Sequence, residues 1–214
     1  NNPASFKKSG AYYPSETESD DDSIQKVMQS EGYIDASIGK WDVRPTPQGY
    51  ALDINIPIEA GERTFVGKVV FENSGGLNRK KLLKASGYKI GEPFDLQSLE
   101  NSKERVLTFL ADNGYPYAKV EVRYELDRNK KGVLQSKIIY GIEKGDKVRI
   151  GEILIVGDVL SSQKAIKSAM SIREGDLFSY KKIIESQLNI RRLGPFSSVN
   201  VSTIGLEDRL DTVS

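Results

Sequence analysis

Glu143 with Asp146, or Glu174 with Asp176, are candidates for a carboxylate pair acting as acid and base. Both pairs fall in glycine-containing turns, where loop solvation accounts for acidic residues without any chemistry. The chain has no histidine and no cysteine, which removes Ser-His-Asp and Cys-His nucleophiles and the usual zinc sites together. The acidic run Glu16, Glu18, Asp20, Asp21 and Asp22 lacks the glycine and closing glutamate of a calcium loop, and suits the amino end of a helix, where the macrodipole favours negative charge. Asn73, Ser74, Gly75 and Gly76 make a glycine-rich turn between a strand and a helix, but no lysine-serine pair follows to close a phosphate cradle. The basic clusters Arg79, Lys80, Lys81 and Arg128, Lys130, Lys131 have the chemistry to touch anionic headgroups. At a helix start and a hairpin tip they read more simply as solvated faces. With 31 basic against 30 acidic residues, no global field draws in nucleic acid. No catalytic residue, metal ligand or cofactor site is assigned, and the chain is read as a binding or scaffold protein.

The elements are most legible near the carboxyl end. Residues 150–156 form an apolar, β-branched run stopped by Gly157 and Asp158, which predicts a short buried strand. Ser161 or Ser162 can cap a helix carrying Ala165, Ile166, Ala169 and Met170. After a turn at Glu174, Gly175 and Asp176, Ser179 can cap a longer helix with Ile183, Ile184, Leu188, Ile190 and Leu193 as its buried face, ended by Gly194 and Pro195. Residues 196–201 alternate as a half-buried strand, and a further strand is expected to begin at 211–214.

The same order stands upstream. Gly61 and Gly145, Gly67 and Gly151, Gly91 and Gly175, and Phe94 and Phe178 are all separated by 84 residues, and a fixed period is the mark of repeated supersecondary units. In the middle copy the expected strand is 64–71 and the short helix 77–85. A helix capped by Asp95 follows, with Leu99, Val106, Leu107 and Leu110 in line, Leu107 being expected to reach the sheet. Strands flank a turn at 129–132. Upstream of this copy, a helix through Ile24, Val27 and Met28, a strand at 34–43 and a strand at 52–58 with Leu52, Ile54, Ile56 and Ile58 on its core face are expected. The fold class is therefore α+β, as tandem β-α-α-β-β repeats, each a three-stranded mixed sheet covered by two helices. The expected domains are a partial first repeat at 1–60, a complete second at 61–144 and a third at 145–214 that stops before its last strand. No run approaches the ~20 apolar residues of a membrane-spanning helix. The chain is expected to be a fragment of a longer protein.

The strand ending in IVGD, the corner EGDLFS, the helix ending in RRLGPFSSVNV and the sister motif ASGYKIGEPFD together resemble polypeptide-transport-associated (POTRA) domains. Such domains precede the barrel in outer-membrane β-barrel assembly proteins of the BamA and TamA kind. The resemblance implies a periplasmic module, attached to an outer-membrane barrel outside this chain, that binds unfolded outer-membrane proteins or accessory assembly proteins by β-strand addition. A structural POTRA interaction domain of a two-partner secretion or cell-division protein is the alternative. By the same resemblance the second strand of the sheet is the exposed edge, and Lys119, Val120, Glu121, Val122 and Arg123 are the expected partner-binding residues.

Overall fold

The computed structural model describes residues 12–49, 51–156, 163–194, 198–208 and 210–213. In chain order these hold α1 (Thr17–Ser30), β1 (Ser37–Ile38), β2 (Asp42–Pro45), β3 (Leu52–Asn55), β4 (Ile58–Glu59), β5 (Phe65–Glu72), α2 (Arg79–Ser86), α3 (Leu99–Ala111), β6 (Lys119–Arg128), β7 (Leu134–Glu143), β8 (Arg149–Ile150), α4 (Gln163–Ala169), α5 (Tyr180–Arg192) and β9 (Thr212–Val213). The architecture is mixed α+β, as expected. By its contacts the chain divides into two compact units. One is Asn1–Val70, Tyr88–Asn101 and Arg123–Ile139, and the other Phe71–Gly87, Ser102–Val122 and Tyr140–Ser214.

Local chemistry starts and stops the middle elements. The Asn78 side chain accepts the N–H groups of Lys80 and Lys81 at the start of α2, and Gly87 ends that helix at φ 80°. Asp95 accepts the N–H of Ser98 one residue ahead of α3, so it stiffens the entry turn and the helix itself begins at Leu99. Between β6 and β7 the Asn129 side chain accepts from Lys131 and Val133, and Gly132 takes φ +80°. The three long strands form a sheet in the order β5-β7-β6, with β7 central. Its residues Ser136, Ile138, Ile139, Tyr140 and Ile142 are all buried.

Each unit has its own core. In the first, the Phe94 ring lies 5.9 Å from Tyr88 and 5.1 Å from Tyr124. In the second, Tyr140 stacks on Phe71 at 5.0 Å, and its hydroxyl is 2.6 Å from Ser102 Oγ. Burial pushes the Tyr140 phenol above its ordinary value, so it stays neutral and shares a proton within that bond. A further cluster in the second unit holds Val148, Ile150, Ile172, Phe178 and Val213, with Tyr117, Ile153, Met170, Ile183 and Leu206 against it.

One arrangement occurs once in each unit. α1 ends at Gly32 (φ +94°), with the Tyr33 N–H donating to Met28 O and the Gly32 N–H to Gln29 O. α3 ends at Gly114 (φ +90°), with Tyr115 donating to Leu110 O and Gly114 to Ala111 O. Both are Schellman turns. The carbonyl thus turned outward is taken by the next first strand: Thr64 N–H donates to Gly32 O at 2.8 Å, and Val148 N–H to Gly114 O at 2.9 Å. Phe94 N–H then donates to Thr64 O, and Phe178 N–H to Val148 O, at 2.9 and 3.0 Å. Phe94 and Phe178, from the 84-residue period, are parts of this joint, whereas its glycines, Gly32 and Gly114, lie outside that period.

Several expectations are corrected. Residues 34–43 do not make one strand. β1 pairs with β4 with Ile38 opposite Ile58, and β2 pairs with β3 with Asp42 opposite Asn55, so 39–41 face only 56–57 and one extra residue is bulged out beside Pro57, which has no N–H for the ladder. Leu52, Ile54 and Ile58 are exposed and Ile56 half-buried rather than core, because β2 with β3 and β1 with β4 form separate two-stranded ribbons and not part of a covered sheet. In 150–156 only Ile150 is in a strand. β8 finds just the two residues of β9 as a parallel partner, and Val156 is 92% exposed. The expected strand at 196–201 is not seen in 198–201, and Phe196 lies outside the described residues, as do Gly157, Asp158, Ser161, Ser162 and Pro195. On α4 only Ile166 is buried. On α3 the buried residues are Ser102, Val106, Leu110 and Ala111, with Leu107 half-buried. On α5 they are Ser186 and Ile190, while Ile184, Leu188 and Leu193 are exposed. Ser179 caps α5 as expected, accepting from Lys182 N–H.

Two predictions follow from this packing. Leu110→Ala should cost about 2–5 kcal/mol and Leu107→Ala clearly less, because only the first empties a closed site; urea unfolding of the two variants compares them. Gly32→Ala should destabilise more than Gly49→Ala. Both need positive φ, but a side chain at Gly32 would stand 2.7 Å from the Thr64 carbonyl oxygen, whereas at Gly49 nothing lies within 4 Å. Melting temperatures of these two proteins check the joint directly.

Candidate binding edge

Among the described residues the sheet order leaves β6 with a neighbour on one side only, so one of its edges carries main-chain groups that β7 does not use. The expected binding residues lie in its first half. Val120 is buried, Val122 half-buried, and Lys119, Glu121 and Arg123 are exposed. This is the alternation of a strand with one face on the core, and it continues in Tyr124, whose ring packs against Phe94.

The hairpin sets which main-chain groups face outward. Asn129 N–H donates to Val133 O at 3.0 Å, and the Glu125 and Lys137 side chains meet at 2.8 Å, so both contacts put the same register on the two strands. In an antiparallel hairpin the residues opposite one another alternate between bonded and non-bonded pairs. Counting from Asn129, the odd residues of β6 direct their N–H groups to β7, and the even ones, Val120, Val122, Tyr124 and Leu126, direct theirs away. Side chain and main chain alternate together: the uncharged residues, of which Val120 is buried and Val122 half-buried, carry the outward N–H groups, and the charged residues carry the inward ones.

Charge holds the far end of this strand. Arg128 reaches both carboxylate oxygens of Glu62, at 2.7 and 2.6 Å, and the Gly132 carbonyl at 2.7 Å. The hydrogen bond from Arg128 keeps the Glu62 carboxyl below its ordinary value. Lys137 does the same for Glu125. The basic cluster expected at the hairpin tip is therefore divided, with Arg128 engaged in this bidentate pair and Lys130 and Lys131 exposed. Arg79, Lys80 and Lys81 are exposed at the start of α2.

The carboxylate pairs have structural partners. Glu174 accepts the Ile153 N–H and pairs with Lys167 at 3.0 Å, and Asp176 accepts the Arg173 N–H and pairs with Lys182 at 3.1 Å. The lysine in each case holds the carboxyl below its ordinary value. An acid and base pair needs its two groups pushed apart, and here both are pushed the same way. Glu143 and Asp146 are exposed. Among the described residues no group of three or more His, Cys, Asp or Glu is placed to hold a metal ion, and no helix is long and apolar enough to cross a membrane. The glycine-rich turn is used structurally: Ser74 Oγ donates to Phe71 O, and Lys144 Nζ to Gly75 O at 2.6 Å.

The POTRA family model, described as a surface antigen variable number repeat, matches residues 64–145 and again 148–214. An outer membrane protein assembly factor BamA from Nitratidesulfovibrio vulgaris is 24% identical over 200 residues, covering 91% of this chain and 25% of the relative. A putative outer membrane protein assembly factor from Treponema pallidum is 21% identical over 180 residues, covering 79% of this chain and 21% of the relative. The chain thus spans a quarter or less of the length of these relatives. Among solved structures, POTRA domains 3–5 of BamA from Haemophilus influenzae share the fold, with a TM-score of 0.52 and 19% identity over 95% of this chain and 79% of theirs.

The Glu62 pair makes a test of the edge's anchoring. Its carboxyl should titrate below the ordinary glutamate range in an NMR pH series, and Arg128→Gln should return it to that range. A folded-state value lowered in this way contributes stability that is present above the unfolded value and lost as pH falls through the folded one, so Arg128→Gln should flatten that part of the acid unfolding profile.

Proposed function

This chain belongs to the POTRA family, and from that premise we propose that it is a periplasmic scaffold that takes up extended segments of unfolded outer-membrane proteins by adding them as a strand to β6 during outer-membrane protein assembly. The observation that carries this reading is the free side of β6, where Val120, Val122, Tyr124 and Leu126 direct main-chain N–H groups away from β7. Strand addition draws its affinity from main-chain hydrogen bonds and so asks little of the client's side chains, which suits a receiver of many sequences. The exposed Lys119, Glu121 and Arg123 give the strand a charged outer face, the usual guard against indiscriminate pairing, without blocking the backbone. The names of the relatives, both outer-membrane assembly factors, support the process.

The chain is proposed to be attached to an outer-membrane barrel encoded outside it and to work on unfolded barrel precursors or accessory assembly subunits. Its near-neutral net charge of +1 leaves no role for nucleic acid. Three repeats, at 1–60, 61–144 and 145–214, are proposed as its domains. The family model's spans of 64–145 and 148–214 support the last two.

Proline substitution tests the edge, because it deletes one N–H. Val122→Pro removes an outward N–H and should keep the melting temperature while abolishing binding of a synthetic barrel-strand peptide. Glu121→Pro removes an inward one and should lower the melting temperature by breaking the ladder to β7. Full peptide binding by a thermally intact Val122→Pro protein would sink strand addition at β6.

A further inference from the structure

The long helix of the last repeat carries an apolar row that is left exposed among the described residues. Tyr180, Ile184 and Leu188 are 43%, 55% and 46% exposed. They stand four residues apart and therefore share one face of α5, while the opposite face buries Ser186 and Ile190 and sets Ile183 against the Val148 cluster. A single exposed aliphatic needs no explanation, but an ordered row of three does.

The repeat supplies an internal control. At the 84-residue interval Ser186 corresponds to Ser102 and Ile190 to Val106, and all four are buried, so the two helices present the same face to their cores. At the same interval Ile184 and Leu188 correspond to Glu100 and Glu104, which are exposed on α3. This face of the helix is outside the core in both copies. One copy clothes it with carboxylates, as a solvated helix surface requires, and the other with isoleucine and leucine. The fold accepts either, so the apolar row answers to something other than the fold.

The surroundings of the row say what covers it. Lys181, Arg191 and Arg192 are exposed around it; Glu185 lies 4.0 Å from Lys181, and Arg191 also donates to the Val199 carbonyl at 3.4 Å. The Tyr180 ring is held edge-on to the buried Phe178 at 4.8 Å, so the row begins on a fixed aromatic anchor. The surface consists of side chains and offers no main-chain ladder, so an extended strand laid on it would leave its own N–H and C=O groups unpaired, whereas a helix satisfies them internally. We propose that this face of α5 is the docking surface for an amphipathic helix of a partner protein. The partner sets an apolar row against Tyr180, Ile184 and Leu188 and carboxylates against Lys181, Arg191 and Arg192. This surface is separate from the β6 edge, and it stands or falls independently of strand addition there.

The test uses the whole chain and a synthetic amphipathic helical peptide with leucine at helical spacing flanked by glutamate, followed by fluorescence anisotropy against a scrambled peptide of the same composition. Ile184→Glu combined with Leu188→Glu places on α5 the residues that α3 carries, so the melting temperature should hold while peptide affinity falls roughly tenfold or more. Lys181→Glu combined with Arg191→Glu leaves the apolar row intact and should weaken binding by a similar factor, and it decides the matter should the first variant lose stability. Equal binding of the scrambled peptide, no saturable binding by the parent chain, or unchanged binding by the charge-reversed variant would overturn the proposal. So would binding of the parent, but not the variant, to phosphatidylglycerol vesicles in place of the peptide, which would make the face a membrane surface. A dimer of the parent abolished by Ile184→Glu and Leu188→Glu would instead make the occupant a second copy and would equally overturn it.

Discussion

A helix ends with carbonyl groups that have no partner within it, and in this chain the disposal of one such carbonyl connects successive elements. At Gly32 and again at Gly114 a left-handed residue closes a Schellman turn and turns its own carbonyl toward the N–H of the following first strand, Thr64 in one case and Val148 in the other. That strand residue then offers its carbonyl to Phe94 or Phe178, whose ring is fully buried. A chain of two main-chain bonds thus runs from a helix end through a strand start to a core aromatic. Only glycine serves at its head: a side chain at Gly32 would meet the Thr64 carbonyl, and one at Gly114 would press on Leu177. The recurrence of phenylalanine at Phe94 and Phe178 is one trace of this constraint in the sequence.

Main-chain satisfaction also explains where the protein is open to partners. β7 has a neighbour on each side and buries a nearly unbroken apolar run, so its polar backbone is spent. Among the described residues β6 has a neighbour on one side only, and its hairpin register gives the outward N–H groups to Val120, Val122, Tyr124 and Leu126. A client strand pairing there would meet backbone between charged side chains. α5 offers the opposite kind of surface, with its backbone satisfied and an apolar row exposed. The strand edge proposed for extended polypeptide and the helix face proposed for a folded partner are thus surfaces of different kinds.

The electrostatics serve position rather than chemistry. Glu62 and Arg128, Glu174 and Lys167, and Asp176 and Lys182 are partly exposed pairs, each worth little to stability, but each ties a turn or strand end to a neighbouring segment. Glu174 and Asp176 looked like an acid and base pair by type and spacing. Their lysine and backbone partners give them another use, which spacing alone cannot reveal.

Short-range chemistry was decided by the residues themselves. Asn78 and Ser179 cap helices, Asn129 and Gly132 make the hairpin turn, and Phe94 and Phe178 of the 84-residue period mark the joints, because each acts on groups within a few residues or at a fixed interval. Helix faces were only half legible. Val106 and Leu107 are adjacent apolar residues about 100° apart around α3, and which one is closed off depends on what packs there. Strands depended most on tertiary structure. Residues 52–58 alternate and 150–156 are apolar throughout, yet the first form an exposed ribbon and the second pair only at Ile150, since a strand exists only where another strand supplies its hydrogen bonds and something covers its face. The edge position of β6 and the exposure of Ile184 and Leu188 are facts of the same kind, set by neighbours far away in sequence.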